Sequence, residues 1–248
     1  MKECLLVTLL AAWCVSCSES KIENIVLIDV ADFDRATIGR EIEIIESLKP
    51  RVLAIDLQFS GRSNFKDDIA LKTALDKCKT LVMASVLDGE FPSQKMPYQN
   101  LIGSDSVFLS NAKTGFINVI LENDEVSTLK RFSVQEEVRN KVEYHFSIRT
   151  AMSFDSLRTM HFIQMHPKIL DVNFYGDIDS YVFFSAKSIL DGELKREDIE
   201  GKIVILGSFS VFDKDIFFTP LKKKKNSANP GMFGVVYLAN VVNQVLTE

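Results

Sequence analysis

Three short apolar runs, at residues 25–30, 52–57 and 81–87, set the terms on which this chain can fold. Each is rich in Val, Ile and Leu and is almost unbroken. Strands without polar alternation need cover on both faces, which is the habit of parallel sheets. Helical spacing separates them. Ile38, Ile42, Ile45 and Leu48 recur ahead of Pro50, and a second helix is expected over 67–77. Asp32 and Asp34 are candidate N-caps for the first of these helices. A β-α-β-α-β series of this kind folds as parallel strands joined by right-handed crossovers. The expected fold class is therefore α/β, a mostly parallel sheet with flanking helices.

The remainder is less regular. Residues 88–112 carry Pro92 and Pro97 and read as a long loop, with a short strand near 107–109. Residues 115–121 and 130–134 read as an antiparallel strand pair in the middle of the chain, joined by the polar turn 122–128. Helix is expected over 145–154, while 155–168 gives no clear signal. A short strand over 172–176, short helices over 185–190 and 196–199, a buried strand over 202–207 and a last helix over 233–246 complete the reading. There is no internal repeat.

Of the four cysteines, Cys4, Cys14 and Cys17 lie at the start and Cys78 stands apart as an expected lone thiol. The apolar run 4–16 is about a dozen residues, short of the roughly 18–20 that span a bilayer. It fits the apolar core of a secretory signal. Cys17, preceded by Ser16, resembles the lipidated cysteine of bacterial lipoproteins, although Cys14 stands where an aliphatic residue is usual. Ordinary cleavage, an uncleaved anchor and a cytosolic start are the alternatives. Trp13-Cys14-Val15-Ser16-Cys17 also has the W-C-x-x-C form of a redox site, but no strand–helix unit surrounds it. The expected division is 1–17 as export segment, 18–24 as tether and 25–248 as one domain.

Acidic residues outnumber basic ones, 34 to 29, for a net charge of -5. Nucleic acid is thus not an expected partner, since such binding runs on cationic phosphate contacts. Asp29 and Asp56 fall at the C-terminal ends of expected parallel strands, where open α/β sheets form their ligand crevice. Asp213 and Asp215 follow the strand that ends at Gly207 and are placed to reach the same rim. Together these four are the candidate ligand-binding residues, able to meet a cation or a polar ligand through oxygen. The competing reading is that they cap helices and bond loop amides. His145, His161 and His166 are expected to be surface or partly buried residues. No catalytic residue, metal or cofactor is named by any motif: there is no glycine-rich phosphate loop and no nucleophile elbow. Lys222 to Lys225 read as a solvated loop, with anionic lipid headgroups as the alternative contact.

Four segments, in order, resemble the CHASE2 domain, an extracytoplasmic sensory module of bacterial receptors. The first is Ile25-Val26-Leu27-Ile28-Asp29-Val30 with Pro50-Arg51-Val52-Leu53-Ala54-Ile55-Asp56-Leu57-Gln58-Phe59. The second is Gly115-Phe116-Ile117-Asn118-Val119, and the third Val172-Asn173-Phe174-Tyr175-Gly176. The fourth joins Gly201-Lys202-Ile203-Val204-Ile205-Leu206-Gly207, Asp215 to Leu221, and Gly234-Val235-Val236-Tyr237-Leu238-Ala239-Asn240. Leu238 stands where the family has histidine. The resemblance implies a non-enzymatic sensory or ligand-binding fold at the cell envelope, without a signalling output in this chain. A small molecule or a protein is the implied partner, with membrane attachment through a lipid or N-terminal anchor. A metal-dependent enzyme using the strand-end aspartates and a structural lipoprotein are the competing functions.

Overall fold

Each of the three apolar runs is a buried strand. The computed structural model describes residues 22–30, 34–89, 98–166, 168–212, 215–221 and 231–248. Strands β1 (Ile22–Asp29), β2 (Val52–Ile55) and β3 (Leu81–Leu87) alternate with α1 (Arg35–Ser47) and α2 (Phe65–Lys77). Asp34 caps α1 by accepting the Thr37 N–H, and Asn64 caps α2 by accepting the Lys66 N–H. Strand β1 begins earlier than the apolar run that marks it, because Ile22 already pairs with Tyr181. Part of the expected tether is therefore strand.

The chain continues through β4 (Leu101–Gly103), β5 (Ala112–Phe116), β6 (Ile120–Leu121), β7 (Leu129–Ser133), β8 (Gln135–Val138) and β9 (Lys141–Tyr144). Helices α3 (Phe146–Phe154) and α4 (Ser156–Met165) follow, then β10 (Ile169–Asp171), β11 (Tyr181–Ser185), α5 (Ala186–Leu190) and α6 (Arg196–Ile199). Last come β12 (Ile203–Gly207), β13 (Ile216–Phe217), β14 (Met232–Phe233) and α7 (Gly234–Thr247).

The main sheet runs β11-β1-β12-β2-β3-β4, with β5 also on β3. Every pairing is parallel except β3 with β4. Ser85 pairs with both Gly103 and Phe116, so β4 and β5 flank β3 on opposite edges. The decisive feature is β12, late in the chain, inserted between β1 and β2. One face of the sheet packs on α3 and α7 around Phe132, Phe146, Tyr181 and Tyr237. The other packs on α1 and α2 around Ile42, Ile45, Leu71 and Leu75. Helix α7 is buried over most of its circumference, including Val236, Leu238, Ala239 and Val241, as expected of a helix packed between the sheet and neighbouring elements.

Three expectations are corrected. The segment 107–109 is a short 3-10 turn (Ser106–Phe108), and the strand of that region is β4. Residues 115–121 do not form one strand. They divide between β5 of the main sheet and β6, and it is β6 that pairs antiparallel with β7. Residues 172–176 are not a strand: the Val172 N–H still donates to Lys130 O of β7, but α7 side chains take the N–H groups of Asn173, Tyr175 and Gly176. The hairpin β8–β9 was not foreseen. Its two-residue turn, Arg139–Asn140, holds both residues at positive φ, 48° and 64°.

Candidate functional site

The insertion of β12 sets the strand-end aspartates Asp29 and Asp56 on either side of one strand. Asp29 ends β1 opposite Gly207. Asp56 follows β2 directly, its N–H donating to Leu206 O at 2.8 Å. Two aspartates 27 positions apart in the chain thus flank one glycine at the C-terminal rim of the sheet. Gly207 is required there: a Cβ would lie 2.6 Å from Val235 Cγ2 and 3.3 Å from Asp56 Cβ. Its absence lets the first turn of α7 come down onto the rim. At Gly234 a side chain would overlap the Asp215 carboxylate, and the Gly234 N–H donates to Asp215 O at 3.0 Å. The positive end of α7 therefore stands over Asp215.

Asp56 and Asp215 line one small cavity of about 20 Å³ with Ile117, Tyr237 and Leu238, room for roughly one water. Burial, and next the charge of Asp215, push the Asp56 carboxyl up to about 8. A second carboxyl pair lies on the α1 side. Glu41 of α1 is fully buried, and both its carboxylate oxygens lack a hydrogen-bond partner among the described residues. Burial, and next the charge of Asp29, push Glu41 up to about 8. Asp29 also accepts the Phe209 N–H at 3.2 Å, the loop-bonding role ordinarily found for a strand-end aspartate. Asp213, Cys14, Cys17 and Lys222 to Lys225 lie outside the described residues. Among the described residues, no three His, Cys, Asp or Glu side chains gather as a metal-binding group.

Reading the sequence for motifs missed Glu41, because a lone acid on the apolar side of a helix carries no pattern. It also missed a groove of about 690 Å³ beside the start of α2, lined by Arg62, Phe65, Ile69, Asp105 and Val107. Cys78 is free and buried, its thiol pushed up to about 12 by burial, which makes it unreactive. His145 departs from expectation: it is fully buried, not at the surface or partly buried. It caps α3, its Nδ1 accepting the Ser147 N–H, and packs among Phe116, Phe132 and Tyr237. Burial holds it down at about 3, hence neutral.

Three of the four sequence segments meet at one cavity, and the third in order is held beside it by α7. Asp56 comes from the first, Ile117 from the second, and Asp215 and Leu238 from the fourth, all on the same cavity. Asn118 of the second closes off β3, accepting the Leu87 N–H at 2.7 Å and donating to Leu87 O at 3.2 Å. The third is clamped by Asn240, one turn along α7 from the cavity. Its Oδ1 accepts the N–H groups of Tyr175 and Gly176, and its Nδ2 donates to Gly176 O and Val236 O. A profile of the CHASE2 domain matches residues 14–248. The chain belongs to the CHASE2 family. No curated protein and no solved structure matches it. CHASE2 domains are extracytoplasmic sensory modules, so this chain is a sensory module by family. Leu238 lines the same cavity as the Asp56–Asp215 pair and sets an aliphatic side chain beside it. Among the described residues no helix is long and apolar enough to cross a membrane.

Proposed function

We propose that this CHASE2 domain is a non-enzymatic sensor exported to the bacterial cell envelope, held there by a lipid on Cys17 or by another N-terminal anchor. It takes its stimulus at the crevice of Asp29, Asp56, Asp213 and Asp215 and passes it on as a shift of α7. The observation that carries this reading is the Asp56–Asp215 pair packed against the first turn of α7, with one of the two carboxyls pushed up to about 8. A change of charge at this pair alters the electrostatics at the head of the helix. The opposite end of α7 lies beside α4, where Arg158 donates to Leu246 O. The adjoining cavity admits only a water-sized occupant, which favours a proton or a small cation over an organic ligand.

The test is thermal denaturation of the purified chain between pH 5 and 9, with sodium, potassium, magnesium or calcium present in turn, beside Asp56→Asn. The expected result is a melting temperature that responds to pH or to one cation in the wild type, and in the variant a loss of any cation response and a weaker pH response, the part due to Glu41 remaining. Identical responses in the two proteins overturn the assignment of the crevice. Intact mass and membrane fractionation beside Cys17→Ala test the anchor: added acyl mass that disappears in the variant supports it, and an unprocessed soluble chain refutes it.

A further inference from the structure

The face of α4 that the fold leaves bare has the chemistry of a membrane-surface helix. Leu157, Met160, His161, Gln164 and Met165 follow helical spacing on one side, and Leu157 is 84% exposed, Met165 65% and Met160 41%. Ile169, just beyond the helix, is 39% exposed. The buried side, Thr159, Phe162 and Ile163, packs inward. Between Asp155 and Asp171 the sequence holds no carboxylate, while Arg158, His161 and Lys168 lie along it. An apolar stripe with Arg158 and Lys168 in its own segment, and with the neighbouring Glu248 carboxylate set against His166, matches an anionic lipid surface.

The location of α4 agrees. Ile25, Ile203 and Val52 stand level in the register, so β1, β12 and β2 begin at one end of the sheet. Arg51, directly before β2, donates from Nε to Phe154 O at 2.9 Å, and Asp155, the next residue, caps α4. Arg158 donates to Leu246 O, and His166 Nε2 lies 3.8 Å from the Glu248 carboxylate. Helix α4 therefore sits where β1 begins and α7 ends, away from the aspartate crevice. The apolar segment 4–16 joins β1 through only residues 17–21, a reach of about 17 Å when extended. Any anchor in that segment brings this end of the molecule to the bilayer.

We propose that the exposed face of α4 rests on the anionic lipid surface to which the chain is attached, with the crevice turned outward. The orientation rests on the N-terminal anchor of the preceding section. The test uses the full chain with Cys4→Ser and Cys14→Ser, carrying either Leu157→Cys or, on α5, Lys187→Cys. Both are reconstituted in phosphatidylcholine–phosphatidylglycerol vesicles at 3:1 and reacted with a polyethylene glycol maleimide. The expected result is at least fivefold slower labelling at position 157 in vesicles than after octyl glucoside is added, with position 187 unchanged. Equal labelling at 157 in vesicles and detergent overturns the proposal. Slow labelling in both overturns it in favour of a second copy or a protein partner. Cys17 reports the anchor separately: an acylated Cys17 adds no second label. Unprotected 157 with a blocked Cys17 refutes the lipid contact alone. Protection at 157 with a reactive Cys17 refutes the anchor and supports the face as a lipid-binding surface in its own right.

Discussion

Glu41 is a costly residue for the fold. A fully buried carboxyl without a hydrogen-bond partner stays folded by keeping its proton, which its upward shift to about 8 expresses. Glu41→Met, similar in volume, is expected to stabilise the fold by about 1–3 kcal/mol in urea denaturation, with a larger gain at pH 8.5 than at pH 5. An equal gain at both values rules out the proton as the cause. Gly115 shows the opposite constraint, one of space. A Cβ there would lie 2.6 Å from Phe146 Cα and 2.9 Å from Phe146 N, both backbone atoms that cannot swing aside. Gly115→Ala is expected to cost about 1–3 kcal/mol, and near-normal stability on chemical denaturation would show that β5 and α3 can separate.

Among the elements, α7 does the most joining. Asn240 and Gln244, one turn apart and both buried, face the segment 171–176 and stand in for a neighbouring strand. Asn240→Ala leaves two backbone N–H groups and one carbonyl of that segment without partners. The expected loss is about 2–4 kcal/mol, with faster amide exchange confined to 172–176. Uniformly faster exchange would mean that the asparagine serves the whole helix rather than this clamp. The motif residues Asn240 and Gly176, 64 positions apart, are thus two halves of one hydrogen-bonded unit. The second segment works the same way, Gly115 providing space and Asn118 bonding to Leu87. These residues were quotable from the sequence as a pattern. Their reasons lie in contacts that no spacing rule expresses.

For the whole molecule, the two carboxyl pairs tie stability to pH. A carboxyl raised from its ordinary range to about 8 binds its proton more tightly when folded, so its stabilising contribution is full below about pH 4 and is lost as pH rises towards 8. Asp124, lowered to about 2 by the Thr128 hydrogen bonds, and Asp68, lowered beside Arg35, run the other way and lose their contribution as pH falls below the ordinary carboxylate range. A stability maximum on the mildly acidic side is expected. Glu41→Met combined with Asp56→Asn should flatten the decline between pH 5 and 8, measured by urea midpoints across that range. An unchanged decline assigns it to other groups. The amino-acid sequence determined the α/β class, the first three strands and the two helices between them, because continuous apolar runs and helical spacing are local properties of the chain. It also supplied Asp29 and Asp56 as strand-end acids. Asp215 too was named from the sequence as able to reach their rim; only the tertiary structure decided that β12 slots between β1 and β2, that Glu41 comes close enough to feel the charge of Asp29, and that His145 is buried. Strand order and burial depend on partners far away in sequence, and no local pattern carries that information.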